Sequence, residues 1–273
     1  MITVTVPERL RRFFRYHQSI TYSALFKASA DAIKKLVKDD KYIGGDLPGF
    51  FGVLHTWGGL SQYHPHVHFV VPGGAVSKED DQWHPSRADF FLPVKALSKI
   101  IKAKFQDEMK KNGLFDEVHE SAWKEAWNIH SKAIGNSENA IKYLSRYVFK
   151  VAISDSRIIK VEDRKVTFSY KKKNSNRMRA CTLDVMEFIR RFLQHVLPTG
   201  FMKVRYYGFL NPNCGISIEH VSALIELSFG FEISAPSFEK KTLKPLCCEH
   251  CGGELEFQYF IIGGSEKPSI DSS

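Results

Sequence analysis

The sequence lacks the features that mark several large protein classes. No apolar stretch reaches the roughly 18–20 residues that a membrane-spanning helix needs, and the N-terminus "MITVTVPERLRRFF" has no apolar segment of the kind found in secretory signals. There is no P-loop and no G-x-G-x-x-G fingerprint. We therefore expect a soluble, cytoplasmic protein that has no membrane partner and no nucleotide cofactor.

Cysteine is also scarce, with five residues of which three lie at Cys247, Cys248 and Cys251. A disulfide framework would use an even and dispersed set. The stretch "CCEHCGGELEF" is similar instead to half of a zinc ribbon, with Cys248 and Cys251 as its C-x-x-C pair. Either this pair holds zinc with further ligands from Cys247, His250 or Cys214, or it binds nothing.

What the chain has in excess is positive charge. The formal net charge is +9 over 273 residues, with 43% hydrophobic and 25% charged residues, a composition typical of a soluble globular protein. Residues 140–210 hold much of the excess of Lys and Arg, interspersed with tyrosine and phenylalanine. Basic side chains pair with phosphates and aromatic faces stack on unpaired bases, so this stretch suits single-stranded nucleic acid. A solvated basic face on an unrelated enzyme is the alternative.

The hydrophobic pattern predicts both helices and strands. Apolar residues spaced by three and four predict amphipathic helices over residues 7–18 and 23–40. "FFGVLHTWGG" and "HVHFVV" predict an antiparallel hairpin over residues 51–71. Further predictions are a long helix from about residue 93, helices over 117–132, 137–153 and 183–198, a hairpin over 156–173 that turns at Glu162–Asp163, and a strand over 201–210.

Histidines crowd into the predicted hairpin. The chain has 11 histidines, so the fourteen residues from His55 to His68 would hold about one by chance, yet they hold four. Because side chains alternate along a strand, His66 and His68 project to the same side. Two imidazoles on one face can share a divalent metal, with His55 or His64 as a third ligand and open positions left for substrate. The alternative is a pair of solvent-facing histidines on an edge strand.

A tyrosine pair is the second candidate for chemistry. Tyr143 and Tyr147 are four residues apart, which places both on one face of a helix. Lys142, Arg146 and Lys150 flank them, as expected of a helix that meets negative charge. Two tyrosines at this spacing also suit the apolar face of an ordinary amphipathic helix.

Taken in order, "HTWGGLSQYHPHVHFVVPGG", "YLSRYVFKVAISDSRI" and "KVRYYGFL" resemble the two-tyrosine HUH transposases of rolling-circle insertion sequences, the IS-ninety-one type. HUH denotes His-hydrophobic-His, here His66-Val67-His68. The likeness runs from about residue 1 to 212. It implies an α+β, HUH-endonuclease-like fold, in which an antiparallel sheet carries the histidine pair on a central strand and helices flank it.

The resemblance also implies an activity, that of a single-strand DNA endonuclease and strand transferase. His66 and His68 become ligands of Mg²⁺ or Mn²⁺, to which the residues themselves add His55 as a third. Tyr143 and Tyr147 become the nucleophiles that form a 5′-phosphotyrosine link and release a 3′-hydroxyl. The partner is then single-stranded DNA of the transposon ends and target. Basic residues expected to contact it are Lys142, Arg146, Lys150, Lys171, Lys172 and Lys173.

The predicted organisation is a catalytic domain over 1–212, a connector over 213–245, a partial zinc-ribbon-like motif over 246–260 and a disordered tail over 261–273. Family members begin with a cysteine-rich zinc module, and none stands before "MITVTVPERL", so we expect a shortened lineage or a fragment.

Two other functions remain open from the sequence. The first is a DNA-binding remnant that keeps the fold without the activity. The second is a metal-dependent hydrolase that uses the histidines and needs an acidic base near them, for which Glu79, Asp80 and Asp81 are the nearest acids along the chain.

Overall fold

The structure is a computed structural model that describes residues 1–58, 62–87, 91–134, 153–171 and 177–230, and beyond them only Cys247, His250 and Gly253. Two compact units divide the chain, Met1–Ile233 and Ser234–Ser273. No helix in the described part is long and apolar enough to cross a membrane. Tyr143 and Tyr147 lie outside the described residues, as does the C-x-x-C pair.

Ten strands and six α-helices make up the described part of the first unit. The strands are β1 (Ile2–Thr5), β2 (Phe50–Trp57), β3 (Tyr63–Val70), β4 (Gly74–Ser77), β5 (Gln82–Pro85), β6 (Asn128–Ser131), β7 (Ile158–Glu162), β8 (Lys165–Lys171), β9 (Met178–Asp184) and β10 (Val204–Tyr207). The helices are α1 (Arg11–Tyr16), α2 (Gln18–Val37), α3 (Val94–Lys111), α4 (Glu120–Lys124), α5 (Val185–Leu193) and α6 (Ile218–Phe229).

The main sheet is antiparallel and has the strand order β10-β2-β3-β1-β6. The predicted α+β class, with an antiparallel sheet and flanking helices, is confirmed. Strand β3 lies in the middle of the five, so the histidine pair is on a central strand. Two smaller sheets, β4-β5 and β7-β8-β9, complete the described strands.

One face of the main sheet forms the hydrophobic core with the helices. Val67 and Phe69 of β3 point into it and are fully buried, packed with residues of α1, α2 and α3. The ring of Phe69 contacts the rings of Phe26 and Phe50 edge-on. Gly52 of β2 makes room for it, because a Cβ there would lie 2.6 Å from the Phe69 ring. The central strand is therefore held by tight packing on this side.

Residues 117–132 were predicted to be one helix, and that prediction is wrong. Only α4 is helical; the chain then extends, and β6 pairs with β1 at the edge of the sheet. Trp123 and Trp127 are spaced as on a helix and both are buried, which explains the misleading pattern. The residues of β6 are extended because they pair with β1, and a pattern read from the local sequence gives no information about that pairing.

The hairpin predicted over 156–173 is present, but its turn lies one residue later. Glu162 pairs with Lys165, which leaves Asp163 and Arg164 as a two-residue turn, and both have positive φ (49° and 58°). This is the backbone that a tight hairpin favours. The third strand of this sheet, β9, was not predicted.

Strand β10 is shorter than predicted because the chain turns at Gly208. Its φ is +59°, and a Cβ there would lie 1.5 Å from the carbonyl oxygen of Pro48. Only glycine fits such a close approach between two backbones. The residues that follow join a second hydrophobic cluster, in which Phe209 packs with Trp83 and Leu224.

Candidate metal centre

Three histidines meet on the face of the main sheet opposite the core. His55 of β2 lies directly across from His66 of β3, and His68 follows two residues later on the same side. Their candidate donor nitrogens all lie within 4.8 Å of one another. The ring centroids of His66 and His68 are 4.8 Å apart. The hairpin thus brings together the three histidines proposed as ligands from the sequence.

The cluster is largely shielded from water. His55 is 2% exposed and His68 7% exposed, while His66 is partly buried. Neutral imidazole is the commonest metal ligand in proteins, through either ring nitrogen. Among the residues that the structure describes, this is the one group of three or more His, Cys, Asp or Glu side chains with the spacing of a metal site.

Hydrogen bonds fix the orientation of two of the rings. Nδ1 of His66 donates to the backbone carbonyl of His64 at 2.7 Å, so its Nε2 carries the lone pair that a metal needs. Nδ1 of His68 is 3.0 Å from Oγ1 of Thr3 on β1. Such partners hold ligand rings in place and set their tautomers.

His64 was the alternative third ligand. Its ring centroid lies 5.3 Å from that of His66, but the group of close donor nitrogens consists of His55, His66 and His68. Its backbone carbonyl, which accepts the hydrogen bond from Nδ1 of His66, gives it a positioning role in this geometry.

The donor set fits a divalent metal ion. A metal–imidazole bond is about 2.1 Å, so two nitrogens on one ion lie up to about 4.2 Å apart. The observed separations, within 4.8 Å, are therefore close to coordination distance. Counting the described residues alone, three imidazoles leave coordination positions of a metal ion to be filled by other ligands.

A tryptophan and a lysine extend the site beyond the histidines. The ring of Trp57 stacks on His55 at 4.8 Å, and Nζ of Lys203 lies 5.2 Å from the centroid of the Trp57 ring. Burial lowers the pKa of Lys203. The cationic side chain of Lys203 is thus held close to the histidine cluster. Next to Trp57 on β2, Oγ1 of Thr56 is 3.2 Å from Nδ1 of His195.

The sequence-based interpretation missed Thr3, Trp57 and Lys203. The alternation in "ITVT" would have placed Thr3 on the histidine face once β1 was known to pair with β3. Trp57 is two residues from His55 and so shares its side of β2. No local signal indicates Lys203, because it lies just before β10, about 150 residues along the chain from the hairpin.

The predicted DNA-binding residues are described only in part. Lys171 is exposed at the end of β8, in the three-stranded sheet and not in the histidine sheet. The other predicted contacts lie outside the described residues, namely Lys142, Arg146, Lys150, Lys172 and Lys173. Cys248 and Cys251 also lie outside them, whereas Cys247 is described and exposed.

Two described tyrosines near the hairpin are poor nucleophiles. The hydroxyls of Tyr22 and Tyr63 are 2.6 Å apart. Burial raises the pKa of Tyr22 to about 12 and also raises the pKa of Tyr63. Tyr63 packs against the hydrophobic core and its hydroxyl meets that of Tyr22 on α2, so it lies on the core side of the sheet and not on the metal side.

Two of the three candidate acids for hydrolase chemistry, Asp80 and Asp81, are engaged elsewhere. Asp80 accepts a hydrogen bond from His84 at 2.9 Å, and Asp81 pairs with His220 at 2.9 Å. These contacts involve the β4-β5 sheet and α6, not the histidine hairpin. No carboxylate belongs to the histidine group in the part of the chain that the structure describes.

The sequence matches known transposases. A family model described as "Putative transposase" (Y2_Tnp) matches residues 49–216. "Putative transposase y4qJ" of Sinorhizobium fredii is 34% identical over 229 residues, which are 77% of this chain and 57% of that protein. "Transposase for insertion sequence element IS801" of Pseudomonas savastanoi pv. phaseolicola is 26% identical over 285 residues, 96% of this chain and 68% of that protein. The chain therefore spans only part of the length of these relatives. No solved structure matches it.

Proposed function

The chain belongs to the Y2_Tnp transposase family, and on this premise we propose that it nicks and rejoins single-stranded DNA through a 5′-phosphotyrosine intermediate in rolling-circle transposition. Membership agrees with the resemblance drawn from the motifs. The matched range, residues 49–216, contains both the histidine hairpin and the tyrosine pair. The proposal extends to transposon ends and target DNA as the substrates.

One observation carries the proposal: three histidines on the central hairpin have donor nitrogens within 4.8 Å of one another. His55, His66 and His68 would hold a divalent ion. Bound there, such an ion would supply positive charge to the scissile phosphate and polarise it. Imidazole donors favour Mn²⁺ over Mg²⁺, because Mg²⁺ prefers oxygen ligands and Mn²⁺ accepts nitrogen more readily.

The covalent step uses the tyrosines. The phenol oxygen of Tyr143 or Tyr147 attacks the phosphorus, the bond to the 3′-oxygen breaks, and the leaving oxygen takes up a proton to become a 3′-hydroxyl. A phenol of pKa near 10 is only about one part in a thousand ionised at pH 7. Lys142 and Arg146, which flank the tyrosines in sequence, would favour the ionised form.

Two tyrosines serve a reaction that requires two cleavages. One tyrosine keeps the donor 5′ end as a phosphotyrosine while the other attacks the next junction. A free 3′-hydroxyl then attacks the phosphotyrosine, which restores the phosphodiester and frees the phenol. The bond energy is retained throughout, so neither ATP nor a hydrolytic water is needed.

The connection to the sheet leaves enough chain for this convergence. His130 on β6 is in register with Thr3, and Thr3 with His68, so two strand spacings, about 10 Å, separate β6 from the histidine strand. Nine residues lead from Ile134 to Tyr143, and a chain of nine residues can span up to about 30 Å. The length of the segment is therefore compatible with a tyrosine reaching the metal side.

The two alternatives predict different outcomes. A DNA-binding remnant would bind single strands but form no covalent adduct. A metal-dependent hydrolase would cleave without tyrosine, but Asp80 and Asp81 are already paired with histidines elsewhere. The engagement of these acids favours the tyrosine mechanism over hydrolysis.

A covalent-adduct assay with strand polarity tests the proposal. The protein is incubated with Mn²⁺ and a single-stranded 40-mer with a randomised centre, labelled at either the 3′ or the 5′ end, and then run on a denaturing protein gel. A 5′-phosphotyrosine link predicts that the 3′ label stays with the protein and the 5′ label is released as a shorter oligonucleotide. Retention of the 5′ label, or no adduct at all, would contradict the proposal.

Tyrosine variants complete the assay. Tyr143→Phe combined with Tyr147→Phe should abolish the adduct. Tyr206→Phe is the matched control, because Tyr206 is half-exposed and pairs with Phe51 on the histidine face of the sheet. Cleavage that survives the double variant would favour the hydrolase, and binding by the wild type without an adduct would favour the remnant.

A further inference from the structure

Four arginines lie within seven residues at the first helix: Arg9, Arg11, Arg12 and Arg15. Three of them are exposed, and Arg11 is partly buried. None forms an ion pair with an acid within the described part of the chain. Glu8 is the one acid in the same stretch. Such a dense and uncompensated positive charge is costly unless an anionic partner meets it.

An exposed aromatic side chain stands beside this charge. Tyr16 at the end of α1 is 70% exposed. The guanidinium carbon of Arg12 lies 5.6 Å from the centroid of its ring, and Nη2 of Arg12 donates to its hydroxyl at 3.5 Å. A tyrosine held this way offers one open face. Aromatic faces beside arginine are the platform on which proteins stack unpaired bases.

A cavity of about 550 Å³ adjoins these residues, a volume within the range of small-ligand and nucleotide sites. Its lining includes Arg9, Arg12, Tyr16, His17, His119 and Glu117. The acid in this set is already engaged, since Nε2 of His17 is 2.7 Å from a carboxylate oxygen of Glu117. The cavity therefore presents cationic and aromatic groups to a ligand.

The arginine-bearing segment begins next to the candidate metal centre. Thr5 of β1 lies directly opposite His66, and the N–H of Val6 donates to the carbonyl of Pro65 at 3.2 Å. Arg9 is four residues beyond Thr5, at most about 14 Å of extended chain. A DNA single strand held by these arginines would thus pass within a few nucleotides of the histidines.

We propose that Arg9, Arg12, Arg15 and Tyr16, here called the arginine patch, bind the DNA single strand next to the cleaved phosphate. The arginines contact its phosphates, and one base stacks on Tyr16. This inference rests on the proposed function for the identity of the substrate. It assigns DNA contacts outside the basic stretch 140–210, and it explains why charge and an exposed aromatic coincide at α1.

Salt-dependent binding tests the patch without any cleavage. Affinity for a fluorescein-labelled single-stranded dT 20-mer is measured by anisotropy in EDTA between 50 and 200 mM salt. Each lost phosphate contact lowers the slope of log K against log salt by about 0.7 for a single strand. Arg9→Ala with Arg12→Ala should therefore lower the slope by about 1.4 and weaken binding at least tenfold. Arg9→Lys with Arg12→Lys should keep the slope.

The matched control removes the same charge at a distance. Lys38 and Lys41 are exposed and follow α2, whose 20 residues place them about 30 Å from α1. Lys38→Ala with Lys41→Ala should leave the slope unchanged. Tyr16→Leu should cost about tenfold in single-strand affinity, with no change in slope and no loss for duplex DNA, whose bases are not free to stack.

The outcomes separate this inference from the proposed function. Equal losses in the arginine and lysine variants would overturn the patch, because net charge alone would then explain binding. Wild-type affinity and slope in the arginine variant, together with a normal covalent adduct, would overturn the patch and leave the proposed function standing. If the wild-type protein bound no single-stranded DNA, both would fail. Thermal unfolding of each variant verifies that the fold is intact.

Discussion

The main sheet and the three-stranded sheet are both antiparallel, but their strands differ in how far they are buried. In the main sheet, β3 has a neighbour on each side and a helical layer behind it, and Val67 and Phe69 are fully buried. In the sheet β7-β8-β9, Val166 and Phe168 are buried, but Val161 on the first strand is 65% exposed. A central, covered strand can hold side chains in fixed positions. A partly exposed sheet instead presents its side chains to solvent or to a partner.

This contrast explains why the metal candidates are on β3 and its neighbour β2. Its register with both neighbours places His55 on one side of His66 and Thr3 on one side of His68. A shift of β3 by one residue would turn His66 and His68 into the core, and the buried apolar side chains of β3 prevent it. The exposed three-stranded sheet, which carries Lys160, Lys165 and Lys171, is suited to contacts that tolerate movement.

The largest difference between the sheets should be in stability. Val67→Ala removes two buried methyl groups and should lower the free energy of unfolding by about 2–3 kcal/mol. Val161→Ala is the matched change on a strand of the other sheet and should stay within about 0.5 kcal/mol of the wild type. Urea unfolding followed by circular dichroism measures both. Equal losses would show that the two sheets are equally packed and would break the comparison.

A smaller difference is expected when a hydroxyl contact is removed from each sheet and Mn²⁺ affinity is measured. Thr3→Val removes the partner of His68 and should weaken Mn²⁺ binding about 10- to 100-fold, as expected for the loss of a group that orients a ligand. Thr167, whose hydroxyl is 2.9 Å from that of Thr182 in the three-stranded sheet, is the control. Thr167→Val should leave Mn²⁺ affinity unchanged. Titration calorimetry tests both, and equal affinity in the Thr3 variant would remove its positioning role.

The smallest expected effect is a pH dependence of stability. A hydrogen bond from Lys27 lowers the pKa of Glu108, which links α3 to α2, and Arg190 and then Arg191 lower that of Glu187 on α5 to about 2. A carboxylate with a lowered pKa stabilises the folded state above its unfolded value, near 4.3, and this stabilisation is lost as pH falls through the folded pKa.

Glu108→Gln and Glu187→Gln should therefore each lower Tm at pH 7, by about 1–2 °C. For Glu187 the difference from the wild type should close between about pH 4.5 and 2. The Glu108 substitution should have the larger effect, since its carboxylate is less exposed and joins two helices. Thermal melts over a pH series measure this order. A difference that keeps its full pH 7 size at pH 2 would mean that charge is not its cause.

The sequence alone predicted those parts of the fold that are determined by residues close together in the chain. Alternation in "HVHFVV" predicted β3, and its histidine density predicted the cluster. The periodic spacing of Leu97, Ile101 and Phe105, all buried, is the pattern that identified α3. Such features arise within one helix or hairpin, where spacing alone decides which side chains meet.

The features that were missed depend on pairing between distant segments. Strand β6 was taken for helix because Trp123 and Trp127 have helical spacing, whereas pairing with β1 extends the chain. Thr3 and Lys203 reach the site from opposite ends of the described chain, 200 residues apart in sequence. No window of sequence contains these contacts, so only the assembled sheet reveals them.

The most direct measurement is a titration of the protein with Mn²⁺. We predict one Mn²⁺ per chain, with affinity reduced more than 100-fold in His66→Ala combined with His68→Ala. His130→Ala is the matched control, since His130 is an exposed histidine in the same row of the sheet as His68, and it should bind as the wild type does. If the double variant kept the wild-type affinity and stoichiometry, the histidine hairpin would not be the metal centre.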